Sequence, residues 1–168
     1  MRAALLAIAL LGFSGCAPGV PAEAARVHAI TASDAPAIDA CWRAALASPP
    51  HQALRDRMGD HADSPTQAMK SNPQRATAQE AAQLIALQQD YLAPCRRMAL
   101  ASAAKVHPAV VAVLVESYAK AEANTARLVS RQITWGEFVS ENQAIVTQRR
   151  SELLATGESL QRDQLPPR

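Results

Sequence analysis

Aromatic residues are scarce in this chain of 168 residues: two Trp, two Tyr and two Phe make up 4% of it. So few flat side chains exclude an evident stacking platform for bases or sugars. The six glycines never gather into a loop that could cradle phosphate. No Gly-x-Ser-x-Gly elbow is present to expose a nucleophilic serine. Neither sign of charge dominates, since 17 Lys and Arg against 15 Asp and Glu leave a formal +2. That near-balance removes the basic face expected of a nucleic-acid binder. Three cysteines without a repeated Cys/His spacing exclude a zinc finger and a disulfide-dense miniprotein. Long apolar runs are also missing: residues 3–11 are uncharged, well short of the roughly 20 residues that cross a hydrocarbon core.

What is abundant is alanine, with 37 residues. Alanine is the best helix former but buries little area. The composition therefore points to one all-α domain with a thin core, a small bundle of four to five helices. Such a core leans on a covalent staple or a partner.

The helical spacing is legible along most of the chain. Asp34 is a good N-cap with Pro36 in the first turn, and Ile38, Cys41, Trp42 and Ala45 follow at helical spacing until Ser48-Pro49-Pro50. A short helix from His51 to Met58 closes at Gly59, and residues 59–76 read as a polar loop with one turn near residues 66–70. Thr77 and Glu80 form a capping box. The helix they start runs to Val106, interrupted at Pro94, and the spacing favours one long helix over two. Pro108 opens the next helix in its first turn, ending near Arg131 or Gln132.

The sharpest local pattern is Ile133-Thr134-Trp135-Gly136-Glu137-Phe138. Thr134 and Glu137 make a second capping box, while Ile133 and Phe138 make the matching hydrophobic staple. Trp135 in the first turn is expected to pack over this corner. A short corner between two long helices predicts a C-terminal antiparallel helical hairpin.

Residues 1–16 read Met-Arg-Ala-Ala-Leu-Leu-Ala-Ile-Ala-Leu-Leu-Gly-Phe-Ser-Gly-Cys. Arg2, a short greasy stretch and small residues before Cys16 resemble the lipobox signal of bacterial lipoproteins. The resemblance implies cleavage before Cys16, lipidation of its thiol, and a palmitate-bearing membrane anchor. At least two acyl chains give stable anchoring, at about 0.8 kcal/mol per buried methylene. Ala17 after the cysteine implies the periplasmic leaflet of the outer membrane. An ordinary secretory signal cut near residues 22–24 is the alternative. The chain then divides into a signal peptide at 1–15, a lipidated start and flexible tether at 16–33, a helical domain at 34–163 and a disordered tail at 164–168. Pro94-Cys95-Arg96 and the Ile133–Phe138 pattern also resemble functionally uncharacterised, Ala-rich helical lipoproteins of proteobacteria, over about residues 77–160. That resemblance transfers no catalytic residue.

With Cys16 lipidated, Cys41 and Cys95 form an even pair in an oxidising compartment and are expected to be disulfide-bonded. Closing a loop of roughly fifty residues contributes about 4 kcal/mol in the entropy account. A reactive thiol at Cys95, activated by Arg96 and Arg97, is the alternative.

Remaining candidates for chemistry are sparse. His28, His51, His61 and His107 have no second His or Cys at helical ligand spacing, and His61 with Asp63 offers two ligands where three are needed. No metal or cofactor is expected. Glu116 and Glu122 read as surface neighbours of Lys120 and Arg127. Arg96-Arg97 and Arg149-Arg150 read as solvated faces or as contacts to anionic headgroups. Two function classes follow. One is a non-enzymatic interaction or scaffold module of the envelope with a protein partner. The other is a small-ligand binder or enzyme using an inter-helical cleft near Tyr91, Tyr118, Trp42 or Trp135.

Overall fold

The computed structural model describes residues 22–59 and 64–163. Residues 1–15, read above as a signal peptide, Cys16 and residues 164–168 lie outside the described residues. The fold is all-helical: α1 (Ala22–Ala47), α2 (Pro49–Met58), α3 (Gln67–Lys70), α4 (Ala78–Ala86), a π-helical stretch (Leu87–Leu92), α5 (Ala93–Val106), α6 (Pro108–Val129) and α7 (Trp135–Asp163). Among the described residues no helix is long and apolar enough to cross a membrane.

One boundary differs clearly from the sequence reading. The helix expected to start at Asp34 already runs from Ala22, and residues 16–21 of the expected tether lie outside the described residues. Ala24, Ala25, Ala29 and Ala32 supply strong helix propensity there, and Pro36 sits inside the helix rather than in its first turn. Asp34 is therefore not a cap. Its carboxylate instead receives the Lys105 ammonium of α5 at 2.8 Å.

Pro94 does not split its helix. The chain passes from α4 through six π-helical residues directly into α5. Ala93 N–H reaches back five residues to the Gln88 carbonyl, and the wider turn accommodates a proline that lacks a donor. The Thr77 box starts this rod: Thr77 Oγ1 accepts from Glu80 N–H at 3.1 Å, and the Glu80 carboxylate accepts from Thr77 N–H at 2.8 Å. At the far end His107 is the N-cap of α6, its Nδ1 accepting from Ala109 N–H at 3.1 Å.

The hairpin of α6 and α7 is antiparallel: Arg127 pairs with Glu141 and Lys120 with Gln148, so positions fall on one helix as they rise on the other. α6 ends at Val129, slightly earlier than its pattern suggests. Arg131 takes a left-handed φ of 61°. The N–H of Gln132 donates to the Arg127 carbonyl and that of Arg131 to the Leu128 carbonyl. This is a Schellman closure with arginine where glycine is usual.

The core lies at the corner end of the molecule. Trp135, Phe138 and Val139 of α7 meet Leu128 of α6, Leu84 and Leu87 of the rod, Leu54 of α2, and Ala76. Trp135 is fully buried, and its ring meets Phe138 edge-on at 5.6 Å. Each fully buried large apolar side chain contributes about 1.5–3 kcal/mol.

Candidate functional site

The corner residues come together as the sequence implies. Ile133 is 3% exposed and lies in the same cluster as Phe138. Glu137 N–H donates to Thr134 Oγ1 at 3.2 Å, and the Glu137 carboxylate accepts from Thr134 N–H at 2.7 Å. The Thr134 amide, together with the Thr134 hydroxyl that donates to the same carboxylate at 2.9 Å, holds the Glu137 carboxyl below its ordinary value. At Thr77, burial pushes the Glu80 carboxyl up, but the Thr77 amide and Arg57 outweigh it and the net shift is downward.

What seats the corner is a set of backbone contacts that no local pattern announces. Trp135 N–H donates to the Gln74 carbonyl at 2.8 Å and Gly136 N–H to the Asn72 carbonyl at 2.9 Å. The polar loop thus takes up donors that α7 leaves free in its first turn. A Cβ on Gly136 would lie 2.9 Å from the Asn72 carbonyl oxygen and closer still to that of Lys70. Only glycine permits this approach.

Cys41 and Cys95 are joined, with their Cα atoms 5.6 Å apart. The bridge ties α1 to the first turn of α5, just beyond Pro94. Cys95 is fully buried, which leaves no reactive thiol there. Trp42 beside the bridge is half-buried.

A groove of about 380 Å³ runs between the rod and α6. Ile85, Gln88, Gln89 and Ala93 form one wall; Thr125, Ala126 and Val129 form the other; Arg96 and Glu122 stand at one end. The π-helical stretch places Gln88 and Gln89 in the wall. Thr125 Oγ1 donates to the Ala121 carbonyl at 2.9 Å, so it accepts from Gln88 Nε2 at 3.1 Å. That leaves the buried Gln88 Oε1 without a donor among the described residues.

Arg96 departs from the solvated face its dibasic neighbourhood suggests. It is 9% exposed, donates to Glu122 at 2.9 Å, and stacks over Tyr118 at 5.3 Å. Burial pushes its guanidinium below the usual value, while Glu122 and the Tyr118 ring support the cation. Burial also raises the Tyr118 hydroxyl, and Arg149 of α7 approaches the same ring at 6.0 Å. Glu122 therefore belongs to a bridge between α5 and α6, whereas Glu116 does pair with Lys120 along α6 at 2.7 Å.

Trp135 and Tyr118 are buried, and none of Trp42, Tyr91, Tyr118 and Trp135 lines this groove. His61 and Asp63 lie outside the described residues. Among those described, no three His, Cys, Asp or Glu side chains converge as a metal site would require. The Gln88-Gln89 pair marks the polar part of the groove's wall in the sequence.

No family model, curated protein or solved structure matches this chain.

Proposed function

We propose that this protein is an exported, lipid-anchored helical module of the bacterial envelope, held by Cys16 to the periplasmic leaflet of the outer membrane, and that it works by binding a protein partner. The observation that carries the binding role is the groove between the π-helical stretch and α6. It is open along its length, has apolar walls and lacks aromatic lining, which suits a side chain or short helix of a partner. The Cys41–Cys95 bridge supports export, because such bonds persist in oxidising compartments. Ile85 on the groove's rim is 41% exposed and supplies an apolar edge for the contact.

A photocrosslinking residue at Ile85, in whole cells, should capture one envelope protein, and Ala126→Trp, which fills the groove, should abolish that capture. Equal capture by both variants would refute the role of the groove. Cys16→Ser should leave the chain unprocessed or release it from membranes; continued membrane fractionation would refute the anchor. The second reading, a small-ligand site, draws on the unpartnered Gln88 Oε1 and on a volume within the range of ligand pockets. A small molecule that copurifies with the native protein and is lost in Ala126→Trp would favour it.

A further inference from the structure

Tyr118 of α6 stands between α5 and α7, and each of those helices sends it an arginine. Arg96 of α5 lies 5.3 Å from the ring centroid, and Arg149 of α7 lies 6.0 Å from it. The two cations are unequally matched. Arg96 has the Glu122 carboxylate at 2.9 Å. Arg149 has no carboxylate within ion-pair distance among the described residues. It is near enough to disfavour the Arg96 cation, and it is half-buried, so water screens it only in part. The Tyr118 ring thus carries two cations to one carboxylate. Apolar surface adjoins the unmatched charge. Val146, Arg149 and Leu153 recur at helical spacing and share a face of α7. With Arg150 and Leu154 they line a shallow cavity of about 320 Å³.

We propose that this site binds a single-chain carboxylate amphiphile, its head on Arg149 and its hydrocarbon chain along Val146 and Leu153. The planar guanidinium offers paired N–H donors that match the two oxygens of a carboxylate. One unmatched cation calls for one negative charge, which a carboxylate carries and a phosphate monoester, near −2, exceeds. Tyr118 is a positioning residue here. Its ring holds the guanidinium, and burial pushes its hydroxyl above the ordinary value, so the ring stays neutral and adds no competing negative charge. The half-buried Val146 and Leu153 give the chain an apolar bed, and the volume lies at the low end of the range for ligand pockets. The cavity shares no lining residue with the groove beside the π-helical stretch and stands or falls independently of it.

The test uses the purified full chain in nanodiscs of zwitterionic phosphatidylcholine, with radiolabelled decanoate in equilibrium dialysis and empty nanodiscs as the blank. Decanoate should bind the parent chain, and Arg149→Met should weaken that binding by roughly tenfold or more, as the loss of a charge-assisted pair implies. Arg149→Lys keeps the charge but not the fork and should fall between the two. Leu154→Glu, at a position 65% exposed, sets a negative charge on the cavity rim without disturbing the fold. It should weaken binding by about threefold or more. Decanol, which lacks the charge, and acetate, which lacks the chain, should fail to displace decanoate at equal concentration. The proposal is overturned if Arg149→Met or Leu154→Glu binds decanoate as tightly as the parent. Displacement by decanol would overturn it in favour of a bare apolar patch, and displacement by acetate in favour of an anion site without a chain.

Discussion

The two ends of the molecule are held together by different means. At the corner end Trp135, Phe138, Leu54, Leu84, Leu87 and Leu128 are all buried to below 2% exposure, and helices α2, α4, α6 and α7 share them. At the other end α1 lies along α5 with alanines and half-buried side chains. Its fixed points are the Cys41–Cys95 bridge, the Asp34–Lys105 ion pair and the small buried residues Ala45 and Ala103. An alanine-rich helix forms readily but brings little apolar area to a core. Helicity and cohesion are thus separate properties of this sequence. Cohesion is apolar where large side chains are available and covalent where they are not.

The largest expected effect tests that division directly. Replacing both Cys41 and Cys95 with Ser should lower stability by about 4 kcal/mol, measured by urea unfolding. The loss should be local in its early stages. Hydrogen exchange in α1 should rise sharply while the amides of α7 near Phe138 stay protected. Uniform loss of protection across both ends would mean instead that the bridge holds the whole fold.

The complementary change acts on the packed end. Gly136→Ala forces a methyl against the carbonyls of Asn72 and Lys70 and should cost about 1–3 kcal/mol. It should loosen the seat of α7 and leave the bridge intact. Thr134→Ala removes only the cap and should cost about 1 kcal/mol. The two variants sharpen the account of the corner by their ratio: an equal loss would mean that the loop contributes nothing beyond the cap.

How much of this was legible in the sequence follows from the range of the interactions. The two capping boxes and the antiparallel hairpin depend on residues a few positions apart, and both are readable; whether Pro94 kinks or splits its helix is not, because the π-helical stretch that carries the chain past it leaves no local pattern. The pairing of Cys41 with Cys95 is readable too, although only by parity and compartment. The start of α1 is not legible, because Asp34 and Pro36 form a good cap pattern, yet the alanines before them keep the helix going. Arg96, Glu122 and Tyr118 were unreadable as a unit, since they meet only when α5 folds back on α6. The seat of Trp135 on Gln74 and Asn72 was hidden for the same reason, being backbone bonds between distant segments. The groove depends on a π-helical turn, which has no sequence pattern that propensity reveals.

Acid separates the ends on a finer scale. Three carboxyls sit below their ordinary values: Glu80 and Glu137 at the caps of the packed end, and Asp34 at the stapled end, where Lys105 and the Ser102 hydroxyl stabilise the carboxylate. A carboxyl lowered in the folded state adds stability above its unfolded value, and that stability is lost as pH falls through the folded one. Erosion at the caps should therefore begin as pH drops below 4.5, the ordinary value for Glu, and erosion at Asp34 only below 3.8. In thermal melts recorded from pH 6 to pH 3, Glu80→Gln and Glu137→Gln should lower the melting temperature at pH 6 and flatten its decline from the upper boundary. Asp34→Asn should leave the first part of that decline unchanged and flatten only the last. Near pH 6 all three variants should match the parent chain in slope, since these lowered carboxyls stay ionised there. A decline that Asp34→Asn flattens from its beginning would place the acid-sensitive contact at the stapled end, and would make the ion pair to Lys105 rather than the caps the first interaction to fail.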